Sequence, residues 1–279
     1  MKWYMKILII INIWLFFAGN VWSQEVIQVK GSDTMVILAQ KWAELYMRTH
    51  PDVTIQVTGG GSGTGIAALL NGTTDIADAS RPMKKKEELD FIKRFKKRPV
   101  RYKVALDGVA IYLNEKNPVS SLTIDDLNKI YRGKTTNWKD VGGVDARIIL
   151  YGRENSSGTY SYIKEHVLDK KDFASTTQTL PGTAAIINAV ARDKFGIGYG
   201  GIGYAKGIKV ISVAKYSLSK PIAPDMDKVI SGQYPISRYL NLYIRPDLDK
   251  GAVHKYIEWI LSDEGQRIVK DTGYYPLPE

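Results

Sequence analysis

The sequence predicts an α/β protein with a parallel sheet and two lobes. Strand-like and helix-like segments alternate through residues 26–79, and three clusters rich in serine, threonine and glycine stand where a strand gives way to a helix. A long apolar strand around Asp107-Gly108 is long enough to cross from one lobe into another. Because ligands bind beyond the carboxyl ends of parallel strands, the three clusters indicate the region of a binding site.

The first part of the chain repeats the order strand, cluster, helix. The predicted strands cover residues 26–30, 53–58 and 75–79. Apolar residues from Met35 to Tyr46 recur at three- and four-residue spacings, which is typical of an amphipathic helix, and a second short helix is predicted over residues 66–70. The third strand leads directly to Ser80.

The second part of the chain continues the alternation and then returns. The long strand is predicted over residues 102–114 and a further strand over 147–151, with helices starting at Thr123 and covering residues 160–168 and 184–192. Residues 238–244 are predicted to pair with residues 110–114 and carry the chain back, before one last helix over 252–270. The chain leaves the first lobe once and returns to it once, so two strands join two lobes. Ligand binding would draw the two lobes together.

The clusters have the chemistry of an oxyanion site. They cover residues 31–34, 59–65 and 153–159. A helix N-terminus carries unpaired N–H groups and partial positive charge, hydroxyls add donors, and the fork of Arg153 can grip two oxygens. Taken singly, each has an ordinary alternative: an N-cap, a flexible glycine turn, or a surface ion pair of Arg153 with an acid.

The start of the chain is typical of a secretory signal peptide. Lys2 and Lys6 precede an apolar run over residues 7–18, and the small residue Ser23 offers a cleavage point before Gln24. The run is shorter than the roughly 20 residues that span a bilayer. The chain contains no cysteine, which excludes disulfides, thiolate catalysis and a cysteine-linked lipid anchor. A periplasmic, unanchored protein is therefore expected.

The formal net charge of +10 is concentrated in part between Lys84 and Arg101. This basic segment could raise the local concentration of anions or dock an acidic partner, or it could be a solvated helix face. Nucleic-acid binding is not expected, because few aromatic residues are interleaved with the cations.

Catalysis is not expected either. The three histidines, His50, His166 and His254, lie outside the clusters, and none has an acid or serine at motif spacing. The glycine loop lacks the Lys-Ser/Thr of a P-loop, and Thr64 stands where a nucleophile elbow requires glycine. No metal-site spacing is present, so neither a metal nor another cofactor is predicted.

Seven motifs occur in a fixed order along nearly the whole mature length: GSDTM, GGGSGTG, DIADASRPMK, DGVAIYLN, the REN-SSGTY turn, YPISRYLNLYI and GYYPL. In this order they resemble the phosphate-binding proteins of phosphate ABC importers, the PstS type of periplasmic binding protein. The resemblance implies a two-lobed type II periplasmic-binding-protein fold with two hinge strands and the ligand in the interlobe cleft. It also implies inorganic phosphate and an inner-membrane permease as partners. Other tetrahedral oxyanions (sulfate, molybdate, tungstate), or a secreted interaction role on the same scaffold, remain alternatives.

Carried onto this sequence, the resemblance implies a set of phosphate-binding residues: Ser32, Thr34, the backbone of Met35, Ser62, Ser80, Arg153, Ser157, Gly158 and Thr159. Lobe I is expected over residues 24–106 and 240–279, and lobe II over 107–239.

The chain departs from the family pattern at Arg81, where some members carry an acid that accepts the proton of phosphate. Arg81 could add a second cation to the site or point to solvent. If selectivity against sulfate is kept, another carboxylate must supply it. Asp107 is the candidate, ahead of Asp33 and Glu154.

Overall fold

The computed structural model describes residues 24–278, so the predicted signal peptide lies outside the described residues. Within this range the strands are β1 Glu25–Gly31, β2 Val53–Thr58, β3 Ile76–Ala79, β4 Val100–Leu113, β5 Ser121–Thr123, β6 Ile149–Arg153, β7 Gln178–Leu180, β8 Gly196–Gly201, β9 Lys209–Val210, β10 Ser212–Ala214 and β11 Ser237–Ile244.

The helices alternate with these strands, as the sequence predicts. They are α1 Val36–Thr49, α2 Ser62–Asn71, α3 Lys85–Phe95, α4 Ile124–Tyr131, α5 Gly158–His166, α6 Gly182–Arg192, α7 Met226–Ile230, α8 Gly251–Leu261 and α9 Asp263–Asp271. None of the helices in residues 24–278 has the length and apolar character needed to cross a membrane.

A continuous sheet runs through both lobes in the order β2-β1-β3-β11-β4-β8-β6-β7, with β9 alongside β4. Strands β1, β2 and β3 are parallel, as are β6 and its neighbours β7 and β8. The carboxyl ends of β1, β2 and β6 are followed by the three clusters, so the sheet brings the clusters to one region.

Strand β4 joins the lobes. Its residues 100–108 pair with β11, and residues 109–113 pair with β8. The change of partner strand thus falls at Asp107-Gly108, where the sequence predicts the crossing. The predicted partner of the return strand is wrong: β11 pairs with residues 100–108 of β4, not with 110–114. Strand β8, from the glycine-rich segment, takes the place beside residues 109–113 because its glycines fit closely against Tyr112 and Ile186.

Two large cores lie on either side of this crossing. The first packs α1, α8 and α9 against the strands around Ile27 and includes the fully buried Trp42. The second packs α4 and α5 against the strands around Ile111, and it includes Trp138. Two cores joined by shared strands are the physical basis of two lobes.

The predicted last helix is interrupted. Ser262 separates α8 from α9, and its hydroxyl accepts a hydrogen bond from the N–H of Gly265, which makes it the N-cap of α9. A periodic apolar pattern continues through such a break, so the sequence alone predicts one helix.

Candidate functional site

The three clusters lie together between the lobes. The N–H of Gly63, in the glycine loop, donates to the carbonyl of Ser156 at 2.8 Å. The hydroxyl oxygens of Thr34 and Thr159 lie 2.9 Å apart. The first and second clusters therefore each contact the third directly, as a single shared site requires.

Ser62, Ser80 and Gly158 form the tightest part of this region. The hydroxyl oxygens of Ser62 and Ser80 are 3.3 Å apart, and the N–H of Ser80 donates to the Ser62 oxygen at 3.0 Å. A Cβ built on Gly158 would lie 2.5 Å from the Ser80 hydroxyl oxygen and closer still to that of Ser62. Only glycine allows the two lobes to approach this closely.

The guanidinium of Arg153 links the first cluster to the third. Its Nη2 donates to the Asp33 carboxylate at 2.7 Å, its Nη1 to the hydroxyl of Thr183 at 2.9 Å, and its Nε to Glu154 at 3.2 Å. Burial by itself would raise the pKa of Glu154, but the hydrogen bond and charge of Arg153, together with hydrogen bonds from the backbone N–H groups of Glu154 and Gly182, hold that pKa below its usual value. Arg153 is thus a buried cation with its geometry fixed by neighbours.

Hydroxyl groups from both sides of the cleft are buried here. They belong to Ser32, Thr34, Ser62, Ser80, Ser157 and Thr159, none of them more than 2 % exposed. Helices α2 and α5 begin at Ser62 and Gly158, so their first N–H groups and positive ends face the same region. Buried hydroxyls and helix N-termini that face one region can bind a small oxyanion.

Met35 is placed beside the site, but its N–H group is engaged. That N–H donates to the carbonyl of Ser32 at 2.8 Å, and the side chain is buried in the first core. In this arrangement Met35 closes the turn before α1. The carbonyl of Thr34 accepts a hydrogen bond from the hydroxyl of Tyr274, which holds the turn from the other side.

Asp107 is buried and paired with a residue that the sequence analysis missed, Arg238. The Asp107 Oδ2 accepts from Arg238 Nε at 3.0 Å and Nη2 at 2.8 Å, and its Oδ1 accepts from the N–H of Ile202 at 2.9 Å. Burial raises the pKa of Asp107, and the charge of Arg238 opposes that rise. Because Arg238 Nη2 also donates to the Thr159 hydroxyl at 2.9 Å, this pair positions a predicted site residue.

A second buried carboxylate that the sequence analysis missed is Asp78. Its Oδ1 accepts the N–H of Ser32 at 2.9 Å. Burial raises the pKa of Asp78 to about 7, the hydrogen bond from Ser32 opposes this rise, and the charge of Asp33 adds to it. The sequence does contain a signal for Asp78: it is the one acid within the apolar strand 76–79, and a buried charge in a strand needs a partner.

Arg81 does not point to solvent. Its guanidinium is 6 % exposed and makes two hydrogen bonds of 2.7 Å with the Glu87 carboxylate. It lies at the edge of the site, because a Cβ built on Gly63 would be 3.7 Å from Arg81 Nη2. The cation that replaces the family's acid is therefore held by an acid on α3.

The histidines stay apart from the clusters. His50 stacks on the ring of Tyr46, His166 stacks on Tyr162, and His254 pairs with Asp249. Within residues 24–278, His, Asp and Glu side chains form no group of three or more that could hold a metal ion. The chemistry of the site is thus that of hydroxyl, amide and guanidinium donors.

Comparison with known proteins gives a family match over most of the chain. Residues 18–264 match the family described as PBP superfamily domain. The phosphate-binding protein PstS of Pseudomonas aeruginosa is 34 % identical over 264 residues, which cover 89 % of this chain and 82 % of that protein. PstS of Bacillus subtilis is 31 % identical over 252 residues, covering 90 % and 80 %.

Solved structures agree with these sequence matches. A putative phosphate ABC transporter substrate-binding protein from Clostridium perfringens, with bound phosphate, has a TM-score of 0.83 and 27 % identity, covering 91 % of this chain and all of that one. An ABC-type phosphate transport receptor from Vibrio cholerae has a TM-score of 0.72 and 28 % identity, covering 90 % of this chain and 100 % of its own. The similarity therefore includes both lobes.

Proposed function

This chain belongs to the PBP superfamily and to its PstS-type phosphate-binding proteins, and on that premise we propose that it captures inorganic phosphate between its lobes for an ABC importer. The mature protein acts in the periplasm as a monomer, without a lipid anchor, and hands phosphate to an inner-membrane permease. It binds no nucleic acid and catalyses no reaction.

The convergence of buried hydroxyls from both lobes, together with the buried cation Arg153 in the third cluster, supports this proposal above all. The proposed phosphate-binding residues are Ser32, Thr34, Met35, Ser62, Ser80, Asp107, Arg153, Ser157, Gly158 and Thr159. Phosphate oxygens need many donors once water is removed, and neutral hydroxyl and amide donors with one compensated cation supply them. Met35 enters this set through its backbone N–H, which the Ser32 carbonyl must release to the ligand.

Closure of the lobes is the proposed mechanism. We assign residues 24–106 and 240–279 to lobe I and 107–239 to lobe II, which follows the change of core along β4. Thr34 and Asp33 from lobe I then meet Thr159 and Arg153 from lobe II, so the contacts that enclose the ligand also hold the lobes together. A closed form stabilised by the ligand presents one defined surface to the permease.

Calorimetric titration of the mature chain tests the function. We expect one phosphate per chain with a micromolar or tighter dissociation constant, about −8 kcal/mol or better. Sulfate and molybdate are titrated in parallel at two pH values, because tighter binding of either would assign the site to that oxyanion instead. Binding of none of the three would contradict a transport receptor for tetrahedral oxyanions.

Asp107→Asn is expected to narrow the preference for phosphate over sulfate by about tenfold, the equivalent of about 1.4 kcal/mol. A carboxylate can accept the proton that phosphate keeps, and it repels an oxygen that carries none. The neutral amide of asparagine repels such an oxygen less, so sulfate is refused less strongly. The loss of a buried pair also destabilises the fold. The melting temperature is therefore measured first, and both anions are titrated where the variant is folded. An unchanged preference would move the selectivity to another carboxylate.

A further inference from the structure

A cavity of about 520 Å³ adjoins the proposed phosphate site without sharing any of its residues. It lies between the segment 81–85 that follows β3, the later turns of α5, and the start of β11. Sites for small organic ligands are typically about 300–1,000 Å³, so the cavity is large enough for more than a bare phosphate ion.

The wall of this cavity is strongly cationic. Its six cations are Arg81, Lys84, Lys85, Arg101, Lys170 and Arg238. Within residues 24–278, three carboxylates oppose them: Glu165 in the wall itself, Glu87 on Arg81 and Asp107 on Arg238. Among residues 24–278, the remaining four cations form no salt bridge, so their charge is available to an anion.

Two arginines in the wall also have unused hydrogen-bond donors. The side chains of Arg81 and Arg238 are both at least nine-tenths buried. Within residues 24–278, the Nε of Arg81 and the Nη1 of Arg238 have no hydrogen-bond acceptor. A buried donor without an acceptor is costly, and guanidinium donors match phosphate oxygens better than other acceptors do.

Part of the wall is apolar. Pro82, Met83, Tyr162 and Tyr239 form it, beside the polar Ser237 and His166, and the guanidinium of Arg238 lies 5.3 Å from the centre of the Tyr162 ring. Such a wall gains nothing from an inorganic ion but can pack against an organic group. A cationic end with an apolar wall therefore fits an organic phosphate.

We propose that this cavity is a second site, which binds a phosphate monoester with its phosphate on the cations and its organic group against the tyrosines. The inference goes beyond the proposed capture of inorganic phosphate. Arg238 touches both sites, since its Nη2 donates to Thr159 and Asp107 while its side chain lines the cavity. A bound monoester is therefore expected to alter phosphate affinity in the neighbouring site.

AMP is the probe, titrated by calorimetry into the full mature chain saturated with inorganic phosphate, with adenosine as the ligand control. We expect one AMP per chain and no binding of adenosine. The double variant Lys84→Gln/Lys170→Gln removes two cations from opposite walls and should weaken AMP binding about tenfold or more, with phosphate affinity within about twofold. The matched control Lys93→Gln/Lys97→Gln removes the same charge from exposed positions outside the cavity, and it should bind AMP like the parent.

Three results would overturn the second site: no AMP binding to the phosphate-saturated protein, displacement of phosphate by AMP one for one, or equal weakening in the control variant. These outcomes are separable from failure of the proposed function. If inorganic phosphate does not bind but AMP binds in a Lys84- and Lys170-dependent manner, the capture proposal fails and the second site stands.

Discussion

Arg153→Ala lowers the affinity for phosphate by about 100-fold or more, the equivalent of about 2.7 kcal/mol or more. The guanidinium supplies charge-assisted donors, each worth about 1.5–3 kcal/mol. It also compensates two carboxylates, those of Asp33 and Glu154, which would otherwise repel the anion. Loss of donors and gain of repulsion act in the same direction. Calorimetric titration of parent and variant measures the change.

Two further variants separate the role of Arg153 in binding from a role in folding. Arg153→Lys keeps the charge but loses the planar fork, so its affinity should lie between those of the parent and the alanine variant. Arg192→Ala removes an exposed arginine from the last turn of α6 and should leave affinity unchanged. An Arg153→Ala protein that binds phosphate like the parent would exclude Arg153 from the site.

Much of this fold can be predicted from the sequence, because the patterns that indicate its strands and helices are local. A strand followed by a serine, threonine or glycine cluster and an amphipathic helix depends on neighbours within about ten residues, and such patterns predict element type well. The change of partner strand at Asp107-Gly108 also has a local signal, because a long apolar strand can enter two cores.

The failed prediction of strand pairing depends on contacts distant in sequence. The register that places β11 beside residues 100–108 is set by packing across 129 or more positions, and nothing in residues 238–244 encodes it. The same holds for Arg238: its partner Asp107 is 131 residues away. An arginine at the start of an alternating strand resembles an ordinary surface residue, because its burial depends on residues far away in the sequence.

Asp107 illustrates the limit for the site itself. Its buried position at the crossing was predictable from the apolar residues around it. Its engagement with Arg238 and Ile202 was not, because those residues approach only through lobe II. The Asp107→Asn titration therefore tests whether Asp107 is the carboxylate that accepts the proton of phosphate. Asp78 is the next buried acid to test.

Gly158→Ala should abolish phosphate binding while leaving the lobes folded. A Cβ at this position enters the space of the Ser62 and Ser80 hydroxyls, which belong to the other lobe in the division proposed above. The clash therefore opposes closure and not the folding of either lobe. Alanine in the first turn is also a better helix former than glycine, so α5 gains stability.

Small-angle scattering and calorimetry together test this expectation. The radius of gyration of the parent should decrease when phosphate is added. The Gly158→Ala protein should have the same radius of gyration with and without phosphate, and it should release no binding heat. Gly142→Ala is the matched control: its φ of 81° strains an alanine, but no atom of the described part of the chain, residues 24–278, lies within 4 Å of the added Cβ. It should lose some thermal stability and still bind. If Gly158→Ala binds phosphate with an affinity within about threefold of the parent, under about 0.7 kcal/mol, the lobes do not need this contact to enclose the ligand.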